Sequence, residues 1–295
     1  DVYAEEILSM ALANRHGVPV RWTESRTEAA GSTIQGRGQI QTIELAADAD
    51  GHLTAVRATL LADMGAYLQL VTPGIPLFGA FLFHGAYHVP LYSFTCTGVF
   101  TNLTPTDAYR GAGRPEATAA IERAMDLFAV EIGMDPTEVR RANFVAPEAF
   151  PYTTPTGTSM DCGDYEGSLD RALETVDYAG LRVEQQRRRD AGDPVQMGIG
   201  VATYVEITGF GGSEYAEVRL RSDGTVLAST GATPIGTGHH TTWAMLVADR
   251  LGRPLDAIEV DPAATEAIPT GNTTGGSRSV QIAGSAMADA SEKLV

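Results

Sequence analysis

The sequence predicts an α/β-type (α+β) chain of mixed sheets with helices, on three observations. Tyr92, Phe94, Cys96, Gly98 and Phe100 alternate with Ser93, Thr95, Thr97 and Val99, the period of two of a strand with one face more buried. Ala117, Ala120, Ile121, Ala124, Met125, Leu127, Phe128 and Ile132 then fall on one stripe of a helix that Gly133 closes. The same succession of strand, Gly-rich loop and helix returns twice in the second half, at 230–241 and 270–279.

In chain order, a first helix is expected over 3–14, with Ile7, Leu8, Ala11 and Leu12 in register, Gly17 as its stop and Pro19 beyond. Residues 18–22 read as a strand and 24–33 as a polar connection. Residues 40–46 and 53–61 read as strands joined at Asp48 to Gly51, where Asp-Gly signals a hairpin. The stretch 64–90, rich in Gly, Pro, Phe and Leu without a clean period, is expected to be irregular and partly buried. After the central strand, loop and helix, Asp135 as N-cap, Pro136 in the first turn and Glu138 at the capping-box position predict a short helix to about residue 143. Residues 146–164, loaded with Pro, Thr and Gly, are the expected boundary between domains 1–160 and 161–295. Helices are expected over 165–177 and 180–191, the second ending in Arg187, Arg188 and Arg189, a solvated run near a helix C-terminus. Strands over 197–205, 213–220 and 225–229 follow, the last two joined at Ser222, Asp223 and Gly224. A helix carrying Trp243, Leu246, Val247 and Leu251, a strand over 257–261 and a last helix carrying Ile282, Ala283, Ala286, Met287 and Ala290 complete the chain.

With 295 residues and 43% hydrophobic content the chain can bury real cores. A net charge of −16 disfavours nucleic acid or an anionic membrane surface as the main partner, and no apolar run approaches the ~20 residues of a membrane helix, so a cytoplasmic protein is expected. Cys96 and Cys162 alone supply neither a disulfide framework nor a four-cysteine metal set; electrons, if handled, leave through another chain. Residue 1 is Asp, and helical patterns begin and end abruptly at the two termini. An internal piece of a longer protein is therefore expected, exposing Ile7, Leu8 and Leu12 at one end and Ile282, Ala286 and Met287 at the other.

The stretch TPTDAYRGAGRPE at 104–116 opens the central helix. Its glycines allow close backbone approach to a ligand, and the free N–H groups of the helix start form an anion site that Arg110 and Arg114 reinforce. The alternative is a Gly/Pro turn whose arginines pair with surface acids. Three such loops feeding three helix starts suggest a long ligand with several anionic groups. His239 and His240, being adjacent, point apart and make a poor metal pair. Glu206 and Glu214 bracket residues 208–212 and could face a cleft. No nucleophile elbow or P-loop appears, which fits a site whose hard chemistry belongs to a cofactor.

DAYRGAGRPE at 107–116, ERAMD at 122–126, MDPTEVRRAN at 134–143 and GGSRS at 275–279, with EEILSMALA at 5–13 and TESR at 23–26, resemble the molybdenum-binding large subunits of the xanthine dehydrogenase, aldehyde oxidase and carbon monoxide dehydrogenase family. The likeness is strongest to the form II carbon monoxide dehydrogenase-like members. It implies a molybdopterin-binding architecture and a molybdenum cofactor in its cytosine dinucleotide form. It also implies partners, an iron–sulfur small subunit and an FAD-binding medium subunit, in a dimer of heterotrimers. By the same resemblance Tyr109, Arg110 and Gly111 lie beside the molybdenum; Gly236, Thr237, Gly238 and Thr241 hold the cofactor; and Ser277, Arg278 and Ser279 grip it further along. No residue is a direct metal ligand. Thr237 stands where the family has Gln, and Gly111 where copper-dependent members have Cys. Phe78 stands about where xanthine-oxidising members have an arginine. The family's Gly-Gly-x-Phe-Gly loop would precede Asp1 and its catalytic glutamate would follow Val295.

The resemblance therefore implies the catalytic subunit of an oxidoreductase that hydroxylates an aldehyde or N-heterocycle using water, this piece alone being inactive. A carbon monoxide dehydrogenase large subunit is the alternative. A non-catalytic pterin-dinucleotide carrier or maturation protein is the alternative of another class.

Overall fold

The computed structural model describes residues 3–209, 211–261, 267–272 and 274–295; Phe210 and Thr273, which fall inside two of the expected loops, lie outside the described residues. Contacts divide the chain into two units, Asp1–Val205 and Glu206–Val295.

The first unit opens with α1 (Ala4–His16), closed as expected by Gly17, whose N–H reaches Ala13 O in the left-handed conformation. The helix buries no residue. Residues 18–22 join no ladder, and Val18, Val20 and Trp22 stay exposed: alternation makes a strand only where an edge is there to pair with it. The polar connection that follows holds a helix, α2 (Arg26–Ser32). Ser25 Oγ accepts from Glu28 N at 3.3 Å and the Glu28 carboxylate accepts from Ser25 N at 2.8 Å, a capping box written in the sequence as Ser-x-x-Glu.

The expected hairpin forms from β1 (Gln39–Ala47) and β2 (Leu53–Gly65), its turn held by Asp48 Oδ1, which takes the N–H groups of Asp50 and His52. A parallel neighbour for β2 needs a crossover, which the irregular stretch supplies together with α3 (Gly74–Ala80) before β3 (Leu91–Phe100). The sheet order is β1-β2-β3. Val56, Ala58, Leu60 and Ala62 alternate with exposed Arg57, Thr59 and Leu61, so one face of β2 meets the core. Ile121, Met125 and Ala129 of α4 (Arg114–Ile132) and Val139 of α5 (Pro136–Asn143) pack with Leu53, Val56, Tyr87 and Val89. Asp135 caps α5 by accepting from Thr137 N at 2.8 Å, but the capping box does not close, because Glu138 lies 3.3 Å from Arg141 instead. Asn143 ties α5 to the hairpin, accepting from Leu53 N at 2.7 Å and donating to Gly51 O at 2.9 Å.

Packing does not break near residue 160. Beyond the short pair β4 (Tyr152–Thr153) and β5 (Ser159–Met160), α6 (Tyr165–Thr175) is held to α5 by Arg141, which reaches Glu166 at 3.1 Å and also Asp170. Tyr178, at the start of α7 (Tyr178–Asp190), donates to Asp135 at 3.1 Å. The strand expected over 197–205 is not a strand. Its backbone is claimed by side chains: Gln185 donates to Met197 O at 3.0 Å, Arg140 to Val201 O at 2.8 Å, and Thr203 N donates to Glu122 at 2.8 Å. By contacts the first unit therefore runs to Val205. The basic run of α7 is solvated as expected. Hydrogen bonds from Arg187 and Arg188 push the half-buried Glu184 carboxyl down to about 2.

In the second unit β6 (Ala216–Leu220) and β7 (Val226–Thr230) form a hairpin turned by Asp223, and β8 (Ile258–Val260) pairs in parallel with β7 after the crossover helix α8 (His239–Leu251). A π-helical turn (Val280–Gly284) leads into α9 (Ser285–Glu292). Ala283 and Met287 are buried with Trp243 and Val247, so the last helix has the packing partners that the sequence reading denied it. Both units repeat one plan, a hairpin with a parallel third strand returned through a helical crossover, and this is the mixed α/β architecture expected.

Candidate functional site

The loop between β3 and α4 is fixed from beneath before it reaches its glycines. Asp63 Oδ1 accepts from Gly65 N at 2.8 Å and Thr101 Oγ1 at 2.7 Å; Thr106 Oγ1 donates to Asp63 O at 2.8 Å, and Thr72 Oγ1 to Thr106 O at 2.6 Å. Buried Asp107 accepts from Val71 N at 3.2 Å and Ala108 N at 2.8 Å. Beyond it three successive residues are left-handed, Gly111 at φ 104, Ala112 at φ 50 and Gly113 at φ 87. A Cβ on Gly113 would lie 1.9 Å from Ile75 O, so only glycine lets the start of α4 sit against α3. A Cβ on Gly111 would lie 2.3 Å from Pro115 Cγ.

Tyr109 and Arg110 are exposed. Arg114 is buried at 5% exposure and does not serve an open anion site. The first turn of α4 already holds a carboxylate of this chain, buried Glu116, which favours that end of the helix dipole. Its partner is Arg37, a residue outside the motifs named above. Arg37 donates to Glu116 Oε2 at 2.9 Å and to Arg110 O at 2.7 Å, and its guanidinium lies 5.0 Å from the Tyr109 ring centroid. The available signal was Gly36-Arg37-Gly38 ahead of a strand, an arginine flanked by residues that allow close approach. Phe78 sits half-buried on α3.

In the second unit the structure brings the other two loops together. A Cβ on Gly231 would lie 2.4 Å from Gly271 Cα, and Thr274 Oγ1 donates to Thr233 O at 2.7 Å. Glu214 ties the third loop down, accepting from Asn272 N and Tyr215 N at 2.9 Å each, so its carboxylate has a structural task there. Gly236 and Gly238 are left-handed with nothing within 4 Å of a built Cβ, and Thr237 and Thr241 are exposed at the start of α8. His239 is buried 5.0 Å from Trp243, ring to ring, while His240 is exposed, so the pair diverges as expected. His239 Nδ1 and Trp243 Nε1 are buried polar atoms with no partner among the described residues. Ser277 is exposed at φ 54, and its carbonyl accepts from Gly209 N at 3.0 Å; Arg278 and Ser279 are half-buried. Gly275 and Gly276 have open space where a side chain would be.

Among the described residues no group of three or more His, Cys, Asp or Glu side chains is placed to hold a metal ion. No helix among them is long and apolar enough to cross a membrane. A cleft of about 810 Å³ lies elsewhere in the first unit, walled by α6, α7 and residues 197–204, and none of the loop residues lines it.

Residues 1–144 and 171–295 match two families, each described as a molybdopterin cofactor-binding domain. The chain is 39% identical, over 94% of its length, to the carbon monoxide dehydrogenase large chain of Hydrogenophaga pseudoflava, and 34% identical over its whole length to the 6-hydroxypseudooxynicotine dehydrogenase complex subunit gamma of Paenarthrobacter nicotinovorans. It spans 36% and 37% of those proteins, little more than a third of either. Among solved structures, 99% of the chain superposes on 39% of a Cu,Mo-CO dehydrogenase chain with a TM-score of 0.89 and 35% identity. It superposes equally far on quinoline 2-oxidoreductase from Pseudomonas putida 86, with a TM-score of 0.90 and 31% identity.

Proposed function

The chain belongs to the molybdopterin cofactor-binding domain family, and from that membership we propose that it is part of the large subunit of a cytoplasmic molybdenum hydroxylase. The observation that carries the reading is that two open glycine loops of the second unit touch, Gly231 against Gly271 and Thr233 against Thr274, the first of them leading into α8. In them Gly236, Gly238, Gly275 and Gly276 leave backbone uncovered beside the hydroxyls of Thr237, Thr241 and Ser277. These residues fit an elongated, anionic cofactor: helix-start N–H groups and hydroxyls would donate to its phosphate oxygens, and His239, the first residue of α8, has a buried Nδ1 with no partner among the described residues. In this reading the family domains are 1–160 and 161–295, and the cofactor is the cytosine dinucleotide form.

Gly236, Thr237, Gly238 and Thr241 hold the cofactor through backbone donors and hydroxyls, and Ser277, Arg278 and Ser279 hold its far end. The hydroxyl of Thr237 replaces the amide that relatives of this type present there. Tyr109, Arg110 and Gly111 border the substrate. When bound, the molybdenum cofactor supplies the redox chemistry that hydroxylates an electrophilic carbon with oxygen from water. An iron–sulfur small subunit and an FAD-binding medium subunit take the electrons, in a dimer of heterotrimers.

An aldehyde or N-heterocycle is the substrate class that Gly111 favours, since a cysteine Cβ there would collide with Pro115 and no side chain is present to hold copper. The likeness to carbon monoxide dehydrogenase large chains favours a second reading, oxidation of carbon monoxide. The deciding experiment purifies the full-length protein with its partner chains and measures molybdenum, the nucleotide released by acid, and turnover with and without copper. We expect molybdenum, cytidine monophosphate and copper-independent oxidation of an aldehyde or heterocycle. Carbon monoxide oxidation lost on copper removal selects the second reading, cofactor without turnover selects a carrier, and no bound molybdenum overturns the reading altogether.

A further inference from the structure

We infer that Arg37 is a positioning residue for the substrate-bordering loop, a latch whose single guanidinium sets the backbone of Tyr109, Arg110 and Gly111. The inference rests on the reading that this loop borders the substrate. Arg37 stands at φ 70, a left-handed conformation rare for a residue with a Cβ. Such strain persists only where surrounding structure over-determines it. Here the segment is held at both ends, to the loop at Gln35 and to β2 at Gly38. Gln35 N donates to Pro105 O at 3.0 Å and Asp107 N to Gln35 O at 3.1 Å, while Asp63 N donates to Gly38 O at 2.8 Å. A Cβ on Gly36 would lie 2.7 Å from Tyr109 Cβ, so the strap touches the loop at that point.

The left-handed residue turns the guanidinium onto three partners that all belong to the loop or the helix it opens: the Arg110 carbonyl, the Glu116 carboxylate and the Tyr109 ring. The need for such a latch follows from the loop itself. Residues 111–113 form a left-handed turn, closed by Ala112 N to Tyr109 O at 2.7 Å and Arg114 N to Gly111 O at 3.3 Å; the two glycines adopt that hand freely, so they do not stiffen the turn, and Ala112 between them carries a Cβ penalty that outside contacts must offset. Gly113 against Ile75 holds its far end. Arg37 on Arg110 O holds its near end, next to the residue that faces the substrate.

A plain surface ion pair between Arg37 and Glu116 would be replaceable by lysine and worth little. A latch is not replaceable, because an ammonium cannot stack on Tyr109 and donate as a fork to two acceptors at once. The test compares Arg37→Lys and Arg37→Met with wild type in the full-length complex, by hydrogen exchange, molybdenum content and steady-state kinetics. In Arg37→Lys we expect amides 110–113 to exchange about tenfold faster while the rest of the protein is unchanged. Molybdenum is retained, because the cofactor loops of the second unit are untouched, and kcat falls roughly 10-fold to 100-fold with a smaller change in KM. Arg37→Met shows the same effects more strongly. Wild-type exchange and kinetics in Arg37→Lys would overturn the latch, also if Arg37→Met proves too unstable to purify. If the wild-type complex carries no molybdenum and turns nothing over, the functional reading fails, and the exchange comparison in that same protein still decides whether Arg37 sets the loop.

Discussion

Arg140 has no exposed surface, and all three of its guanidinium nitrogens donate within the first unit: to Glu122 Oε2 at 2.9 Å, to Pro136 O at 3.0 Å, and to Asp126 Oδ1 and Val201 O at 3.0 and 2.8 Å. Glu122 in turn accepts from Tyr87 Oη at 2.5 Å and from Thr203 N. A buried carboxylate stripped of its cation is expensive, so Arg140→Met is expected to lower stability by about 3–5 kcal/mol in urea denaturation. Tyr87→Phe removes one bond to a charged acceptor and is expected to cost about 1.5–3 kcal/mol. Burial, aided by the Glu122 charge and opposed by Arg140, raises the Tyr87 phenol well above its ordinary value. A raised phenol contributes stability that is complete below the unfolded value of about 10 and is lost as pH rises toward the folded one. Alkaline destabilisation above that pH should therefore be weaker in Tyr87→Phe than in wild type, and equal slopes would show that Tyr87 is not linked to it.

At the scale of elements, two glycines of the same hand should behave differently. Gly113 begins α4 and Gly133 ends it, at φ 87 and φ 68. Around Gly133 a Cβ would meet nothing within 4 Å, so Gly133→Ala carries only the left-handed penalty of about 1–2 kcal/mol. Gly113→Ala would force a methyl to 1.9 Å from Ile75 O, separating α3 from α4, and is expected to cost roughly 3 kcal/mol or more. Thermal denaturation of the two variants side by side checks this, and equal losses would mean that the α3–α4 contact relaxes freely. The legible elements were those whose cause is local. Gly17 and Gly133 stop helices, Asp48 and Asp223 make turns, and Asp135 caps α5. The Ser25–Glu28 box is equally local, but no long apolar stripe follows it to announce a helix.

For the molecule as a whole, apolar exposure is uneven. Ile7, Leu8 and Met10 of α1 are 57%, 54% and 65% exposed, whereas Met287 at the other end of the chain is fully buried. A dye that binds exposed apolar surface should bind the 295-residue chain, and the triple substitution Ile7→Gln, Leu8→Gln, Met10→Gln should reduce that binding. Because these side chains bury little, each change should move stability by only about 0.5 kcal/mol. A large drop in melting temperature would show that α1 packs on the rest of the chain in solution.

The sequence by itself determined the succession of helices, turns and Gly-rich loops, the mixed α/β class and the family, because each is written in residues close together or in motifs that survive as strings. It also marked Tyr109, Arg110 and Gly111 and the pair of loops around Gly236 and Ser277 as the places to look. Tertiary structure alone decided which extended stretches became strands. Residues 18–22 met no edge, and residues 197–205 surrendered their backbone groups to Gln185, Arg140 and Glu122. It alone placed Arg37 on a loop some seventy residues away. The physical reason is the same in each case. Pairing partners, buried charge and close backbone approach depend on what lies across space, and no local period records the other side of a contact.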